Sequence, residues 1–78
     1  MKVLCFGIAK DIIGGSSVEL DASHVNSVES LRNYLTDAYP EFKEYTAFRV
    51  AVNQAFANET DAISSTDEIA IIPPVSGG

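Results

Sequence analysis

The sequence predicts one α+β domain in which a single helix packs across one β-sheet. Segments typical of strands and one amphipathic segment of helical period follow in the order β-β-α-β-(β)-β, where the bracketed strand is short. The chain of 78 residues has room for one domain at most. A helix of about 11–13 residues lying on one sheet would bury the apolar face of each layer against the other.

The first two strands are predicted to form a hairpin. Residues 2–9 are rich in apolar and β-favouring types, which predicts the first strand. Residues 10–13 make a short connection that could form one helical turn, and Gly14-Gly15-Ser16 follows as a turn signal. Residues 17–20 alternate between polar and apolar types and predict the second strand.

The helix is predicted to begin at Asn26-Ser27, because Asn26 and Glu29 have the spacing of a capping box. Pro40 should end it near residue 38, since the residue before a proline avoids the helical conformation. Apolar residues recur on one predicted face, with Tyr34 beside them: Val28, Leu31, Leu35 and Ala38.

The second half of the chain predicts the remaining strands. Residues 41–46 read as a polar linker, residues 48–52 as the third strand, and Asn53-Gln54 as a turn before a short strand at 55–57. Residues 64–67 form a turn signal before the last strand at 68–72, which Pro73-Pro74 stops.

The first and last strands are apolar at nearly every position, so polarity alone does not show which face is exposed to solvent. We assign the two faces from the alternation of side chains along each strand. We expect Val3 and Cys5 to pack on Leu31 and Leu35, while the face that carries Lys2 points outward. The outward residues of the two strands would then be Leu4, Phe6, Ile8, Ala70 and Ile72, with Ile69 and Ile71 inward. If Phe6 and Ile72 are neighbours, they make an exposed apolar patch of the kind that marks a protein interface.

Composition narrows the classes of partner. Five Lys and Arg against eleven Asp and Glu give a net charge of −6, which disfavours nucleic acid and anionic membrane surfaces. No apolar run approaches the ~20 residues that span a bilayer, and Gly7 and Lys10 interrupt the N-terminal apolar stretch, so we predict neither a membrane segment nor a signal peptide. With Cys5 as the lone cysteine, a cytoplasmic location is expected.

The side chains offer few candidates for chemistry. Cys5 could carry sulfur, but a cysteine in mid-strand is typically a small buried hydrophobe. His24 has no partner at metal-ligand spacing and is interpreted as a surface-loop residue, so no metal site or bound cofactor is predicted. Gly14-Gly15 lacks the further glycines or lysine of a phosphate loop and is interpreted as a turn. A group of acidic residues forms either a solvated face or a contact for a basic partner: Asp11, Glu19, Asp21 and Glu29.

The end of the chain is a more promising chemical group. After a domain of residues 1–72, residues 73–78 (PPVSGG) are predicted to form an extended, flexible tail. Six residues span at most roughly 20 Å, and Pro73-Pro74 stiffens the base of the tail. Gly77-Gly78 keeps its tip narrow enough for another protein's active site to reach the Gly78 carboxylate.

Three segments resemble one protein family. They are KVLCFG at residues 2–7, AVNQ at 51–54 and DEIAIIPPVSGG at 67–78. Together they look like the small subunits of molybdopterin synthase, which are ubiquitin-like sulfur carriers with the β-grasp fold. The resemblance covers essentially the whole chain in length and element order, and the terminal segment is its most specific part.

The resemblance implies a mechanism centred on Gly78, which follows Gly77. An adenylyltransferase similar to ubiquitin-activating enzymes would use ATP and magnesium to convert the Gly78 carboxylate into an acyl-adenylate. A sulfur donor would then leave a thiocarboxylate, which would enter the large synthase subunit and deliver sulfur to cyclic pyranopterin monophosphate, building the molybdopterin dithiolene. The chain itself would bind no cofactor.

The resemblance also implies a partner interface in a heterotetramer. Phe6 matches a first-strand aromatic that packs on the large subunit, and Phe56 matches an apolar position that contacts the same partner. Ile72 stands where relatives often have Phe, and Cys5 where they commonly have Phe or another apolar residue. The tail residues expected to contact the partner are Pro73, Pro74, Val75 and Ser76.

Three other functions remain open. Sulfur carriers for thiamin thiazole synthesis or tRNA thiolation also end in Gly-Gly, although the preceding Pro-Pro-Val-Ser favours the pterin pathway. A ubiquitin-like modifier conjugated to lysines would use the same terminus. A plain interaction module would leave the tail without chemistry.

Overall fold

The computed structural model describes residues 1–21, 23, 25–45 and 48–73, with the backbone alone at residue 45. Its elements are β1 (Lys2–Cys5), α1 (Ile8–Ile13), β2 (Ser17–Glu19), α2 (Val28–Ala38), a 3₁₀ helix (Pro40–Tyr45), β3 (Arg49–Val52), β4 (Ala55–Phe56) and β5 (Ile69–Ile72). The predictions made for His24, Pro74, Val75, Ser76, Gly77 and Gly78 concern residues outside the described part of the chain.

The strands form one mixed sheet in the order β2-β1-β5-β3-β4. β1 and β5 are parallel, with Cys5 opposite Ile71, whereas β1 pairs with β2 and β3 pairs with both β5 and β4 in antiparallel fashion. A parallel pair requires a long crossover, and the main helix α2 lies within it. The predicted α+β class, with one main helix packed across a mixed sheet, is confirmed.

The core lies between α2 and one face of the sheet. Val28, Leu31 and Leu35 are fully buried, as the helical spacing predicts. They share one hydrophobic cluster with the inward residues of the central strands, which confirms the face assignment: Val3, Cys5, Val50, Ile69 and Ile71. Ala38 is exposed, because α2 ends there and its last turn projects past the packed part of the helix.

The helix cap differs from the predicted one by one residue. Ser27, not Asn26, caps α2: its hydroxyl accepts a hydrogen bond from the Ser30 backbone N–H (3.2 Å), and the Ser30 hydroxyl accepts one from the Ser27 N–H (2.9 Å). Glu29 is therefore not the capping-box partner. A short serine at the third helical position reaches back to the cap as well as the usual Glu or Gln does. The predicted helix end near Ala38 is confirmed.

The predicted first strand, residues 2–9, is too long at its C-terminal end. The first strand stops at Cys5, and Ile8 and Ala9 belong to α1 instead, with Ala9 buried against the core. Gly7 makes this early turn possible because its φ of 57° is positive. Ile8 therefore does not extend the outward row of the first strand.

The predicted polar linker at 41–46 is largely a 3₁₀ helix that contributes to the core. Phe42 is only 1% exposed, and its ring centroid lies 5.3 Å from that of Phe48 and 6.3 Å from that of Tyr39. One aromatic among charged residues shows no period, so the sequence pattern did not reveal its burial. The segment closes the end of the core beyond the C-terminus of α2.

The predicted turns are confirmed. Asn53 and Gln54 both have positive φ (53° and 70°), as a two-residue hairpin between β3 and β4 requires. The Asn53 amide donates to Asp67 Oδ1 at 3.0 Å, and Ser64 N–H donates to Asp67 Oδ2 at 2.8 Å. These donors, the Ser64 amide first, lower the pKa of Asp67 below its ordinary value. The β3–β4 turn is thereby joined to the loop that leads into β5.

Candidate functional site

The outer face of the sheet, opposite α2, carries an exposed apolar surface that we call the outer patch: Leu4, Phe6, Phe56, Ala70 and Ile72. Phe6 is 49% exposed and Phe56 is 58% exposed, the two large apolar side chains left open in the described residues. The five residues line one shallow depression of about 220 Å³. The predicted outward placement of Phe6 and Ile72 is confirmed.

Strand register explains how residues distant in sequence form this surface. Leu4 lies opposite Ala70 on β5, Ala51 lies opposite both Ala70 and Phe56, and residues paired across strands project to the same face. The small residues Ala51 and Ala70 form the floor between the larger side chains. The result is a shallow concave surface with aromatic walls, a form suited to receiving an apolar projection of a partner.

Charged groups flank the outer patch on two sides. The Arg49 guanidinium carbon lies 4.3 Å from the centroid of the Phe56 ring, a cation–π arrangement that covers part of an exposed ring. Glu68 lines the same depression from the start of β5. Sequence analysis missed Arg49, although the alternation in β3 places it on the same face as Ala51.

The base of the tail adjoins the outer patch. Phe6 directly follows β1, and Ile72 is the last residue of its parallel neighbour β5; Gly7 and Pro73 come next in the two segments. A side-chain carbon built on Gly7 would lie 3.1 Å from Cγ of Pro73, so these two residues are in close contact. The chain therefore leaves the sheet toward its C-terminus at the edge of the outer patch.

The side chains of the described residues supply no evident catalytic group. Burial raises the pKa of the Cys5 thiol to about 11, so this cysteine is a protonated, inaccessible thiol at neutral pH and not a nucleophile. Within residues 1–21, 23, 25–45 and 48–73, no cluster of three His, Cys, Asp or Glu side chains could hold a metal ion. The interpretation of Cys5 as a small buried hydrophobe is confirmed.

A second depression, beside α2 and β3, is built around Arg32, whose polar contacts are structural. Its guanidinium donates to both carboxylate oxygens of Glu59, at 2.8 and 2.9 Å, and to the Phe48 carbonyl at 2.9 Å. The guanidinium carbon also lies 4.3 Å from the centroid of the Phe48 ring. Arg32 thus ties the helix to the strand side of the core.

The predicted acidic face is exposed as expected, with Asp11, Asp21 and Glu29 open to solvent. Glu19 is exposed as well and lies 3.6 Å from the N-terminal amine. This ion pair contributes little to stability, because the exposed Glu19 carboxylate is screened by water.

The fold and the patch together define the class. A mixed five-stranded sheet crossed by one main helix, with an apolar outer face beside the C-terminal segment, is a ubiquitin-like β-grasp domain. SAMP1 from Haloferax volcanii, a small archaeal modifier protein, has the same fold: its crystal structure matches with a TM-score of 0.80 and 26% identity, over 99% of this chain and 97% of that one. The chain belongs to the ThiS family, whose family model matches residues 3–78.

Two relatives match this chain over nearly their whole length. The molybdopterin synthase sulfur carrier subunit of Dictyostelium discoideum is 38% identical over 99% of this chain and 94% of its own. That of Caenorhabditis elegans is 33% identical over 100% of this chain and 96% of its own. A protein–protein complex of subunits 1 and 2 of molybdopterin-converting factor from Helicobacter pylori contains a chain that matches with a TM-score of 0.67 and 25% identity, over 99% of this chain and 96% of that one.

In the part of the chain that the structure describes, no helix has the length and apolar character needed to cross a membrane. The role of Phe6, Phe56, Ile72 and Pro73 as a partner interface stays a prediction.

Proposed function

We propose that this chain is the sulfur carrier subunit of a molybdopterin synthase, with residues 1–72 as a docking domain and residues 73–78 as the arm that carries sulfur. The observation that carries the proposal is the outer patch lying beside Pro73, where the arm begins. A docked partner would then sit next to the base of the arm. The names of full-length relatives at 33–38% identity support the same role.

The proposed chemistry takes place at the Gly78 carboxylate. An adenylyltransferase partner, using ATP and magnesium, forms a bond from that carboxylate to the α-phosphorus of ATP and releases pyrophosphate. A sulfur nucleophile at the oxidation level of sulfide then attacks the carbonyl carbon, and AMP leaves with its bonding electron pair. A carboxylate is a poor electrophile, so this activation is what makes the exchange of oxygen for sulfur possible.

In the second proposed stage, in the active site of the large synthase subunit, the Gly78 thiocarboxylate sulfur attacks a carbon of cyclic pyranopterin monophosphate and displaces an oxygen substituent there. Water then hydrolyses the resulting thioester, which leaves the sulfur on the pterin and restores the Gly78 carboxylate. Two such donations build the dithiolene. The described residues offer no accessible thiol, since Cys5 is buried. In this proposal the large subunit supplies the acid–base groups. A cytoplasmic location belongs to the proposal, because activation consumes ATP.

Docking is proposed to occur through the outer patch. Phe6 and Phe56 together expose the kind of aromatic surface that dominates binding energy at protein interfaces. Ile72 continues that surface to Pro73. The subunit complex from Helicobacter pylori, whose matching chain is 25% identical, supports a larger partner subunit.

The arm is proposed to enter the partner's active site. Residues 73–78 span at most roughly 20 Å when extended, which is enough to cross a pocket wall while the domain stays outside. Pro73 and Pro74 restrict the backbone and reduce the entropy lost on docking. Val75, Ser76 and Gly77 would line the channel that leads Gly78 to the reacting atoms.

A second candidate is a ubiquitin-like protein modifier. The match to SAMP1, at 26% identity and a TM-score of 0.80, favours it as the alternative. A modifier would share the adenylation of its C-terminal glycine with the sulfur carrier, but that glycine would end in an isopeptide bond to a lysine of another protein. Sulfur carriers for thiamin thiazole or tRNA thiolation share the first proposed stage and differ in the acceptor.

The decisive experiment is intact-mass analysis of the chain after incubation with its adenylyltransferase, ATP, magnesium and a sulfide source. We expect a mass increase equal to the replacement of one oxygen by sulfur. A chain lacking Gly78 serves as the matched control and should gain nothing. No mass change in the full chain, with an enzyme that activates a known carrier, would overturn every carrier function.

Two further measurements separate the candidates. Affinity capture with the full chain should retain a pterin-synthesis subunit, whereas retention of a thiazole synthase would assign the carrier to thiamin. Lysine-linked adducts in cells that disappear on deletion of Gly78 would favour the modifier instead.

A further inference from the structure

The backbone of Gly7 has a conformation that side chains disfavour. Its φ is 57° and its ψ is −132°, outside the left-handed helical region and close to the region that glycine alone populates. Gly7 follows β1 and precedes α1, and its carbonyl accepts a hydrogen bond from Lys10 N–H at 3.0 Å. The chain reverses from strand to helix at this one residue.

The space around Gly7 is filled by the base of the tail. A Cβ on Gly7 would lie 3.1 Å from Cγ and 3.8 Å from Cδ of Pro73, which is tighter than ordinary van der Waals contact at the nearer atom. The other glycine with positive φ differs: at Gly14, where φ is 77°, an added Cβ would meet no atom within 4 Å. Gly7 is therefore constrained by a specific neighbour as well as by its backbone angles.

Strand register brings the two residues together. Cys5 on β1 lies opposite Ile71 on the parallel strand β5, so the positions two residues further along are Gly7 and Pro73. At this point β1 ends in the turn to α1, while β5 continues toward the C-terminus. The proline ring lies so close to the end of β1 that a side chain on Gly7 would have to displace it by a few tenths of an ångström.

We infer that Gly7 is a positioning residue for the carrier reaction: by seating the Pro73 ring, it sets the direction in which the arm leaves the sheet when the outer patch is docked. This inference rests on the proposed function, because it assumes that Gly78 must reach a partner's active site. The five residues after Pro73 extend over at most roughly 17 Å, so a small change of angle at their base is magnified at the tip.

The expected effect is on the rate within the complex and not on its formation. Misplacement of a reacting group by about 1 Å can lower a rate by roughly a hundredfold. The outer patch lies on the sheet face and is retained when Pro73 moves. We therefore expect thiocarboxylated Gly7→Ala to transfer sulfur in the complex with the large subunit about ten- to a hundredfold more slowly at saturating carrier, with an apparent KM within about threefold of the wild type.

The experiment compares thiocarboxylated Gly7→Ala, Gly14→Ala and wild-type chains as sulfur donors to the large subunit, with thermal unfolding as a check of folding. Gly14→Ala is the control for a side chain at positive φ without a contact to the tail, and it should keep the wild-type rate. An increase in the apparent KM of Gly7→Ala without a fall in its rate at saturation would overturn the inference. Equal effects in Gly7→Ala and Gly14→Ala would overturn it as well. Failure of the wild-type chain itself to gain sulfur would instead overturn the proposed function.

A second pair of variants tests the contact itself. Pro73→Ala removes the ring atoms that the new Cβ would meet, so Gly7→Ala/Pro73→Ala should react faster than the product of the two single effects predicts. A strictly multiplicative result would overturn the inference. If Gly7→Ala alone does not fold, the double variant still decides: recovery of folding supports the contact, and continued unfolding overturns it.

Discussion

Phe6 and Phe56 are the residues at which this chain departs most from the ordinary rule of burial. Both are large and apolar, and both remain about half exposed, at 49% and 58%. The alternation of β1 explains the exposure of Phe6, since Val3 and Cys5 are inward and Phe6 directly follows the end of that strand. Two exposed aromatic side chains that line one depression indicate a surface retained for a partner and not for stability.

Phe6→Lys is expected to weaken binding of the large subunit by at least about tenfold, because an aromatic contact is replaced by a charge that must be desolvated. The free energy of unfolding should change by less than about 0.5 kcal/mol, since the side chain is on the surface. Titration calorimetry and thermal unfolding measure the two quantities.

Asn33→Lys is the matched control for Phe6→Lys, because it adds the same charge on an exposed position of α2. It should leave the affinity within about twofold of the wild type. Loss of folding in Phe6→Lys would contradict the face assignment, and unchanged affinity would remove the outer patch from the interface.

At the scale of elements, α2 depends on a cap that the sequence pattern placed one residue too early. Asn26 and Glu29 fit the usual capping box, but Ser27 and Ser30 form the observed reciprocal pair. Asn26 contributes from outside the helix, where its side-chain oxygen accepts a hydrogen bond from the Ser30 hydroxyl at 3.2 Å. Asn and Ser are both preferred at the N-cap position, so residue preference alone does not decide between Asn26 and Ser27.

Ser27→Ala is expected to lower the free energy of unfolding by about 1 kcal/mol, because the Ser30 N–H loses its acceptor at the start of α2. For a domain of this size that corresponds to a fall in Tm of about 4–8 °C. Asn26→Ala should cost less than half as much. An equal or larger loss in Asn26→Ala, measured by thermal and urea unfolding, would favour the cap that the sequence pattern suggests.

At the scale of the whole molecule, the proposed function assigns docking to the domain and chemistry to the arm. Among the described residues, the core cluster lies within residues 3–71 and the outer patch reaches Ile72. The net charge of −6 adds a field that favours a basic partner surface. This division suggests that binding and sulfur transfer can be removed independently.

A chain that ends at Ser76 should therefore act as a competitor. We expect it to bind the large subunit with an affinity within about tenfold of the full chain, since the outer patch supplies most of the contact, while it carries no sulfur. The measurement is inhibition of sulfur transfer from the thiocarboxylated full chain. Absence of competition would show that the arm, and not the outer patch, holds the complex.

Four features follow from the sequence by itself: the order of the strands and the main helix, the buried face of α2, the outward placement of Phe6 and Ile72, and the Asn53-Gln54 turn. Each of these depends on local periodicity or on the backbone preference of a few neighbouring residues, which a single chain displays directly. The terminal PPVSGG segment is equally a property of the sequence.

The tertiary structure alone decided the burial of Phe42, the cation–π pair of Arg49 and Phe56, the role of Arg32 and the contact between Gly7 and Pro73. These features join residues from different elements, and they exist only after the strands have paired in one register. Periodicity assigns a residue to a face but not to a neighbour, because the neighbour is set by the packing of the whole sheet.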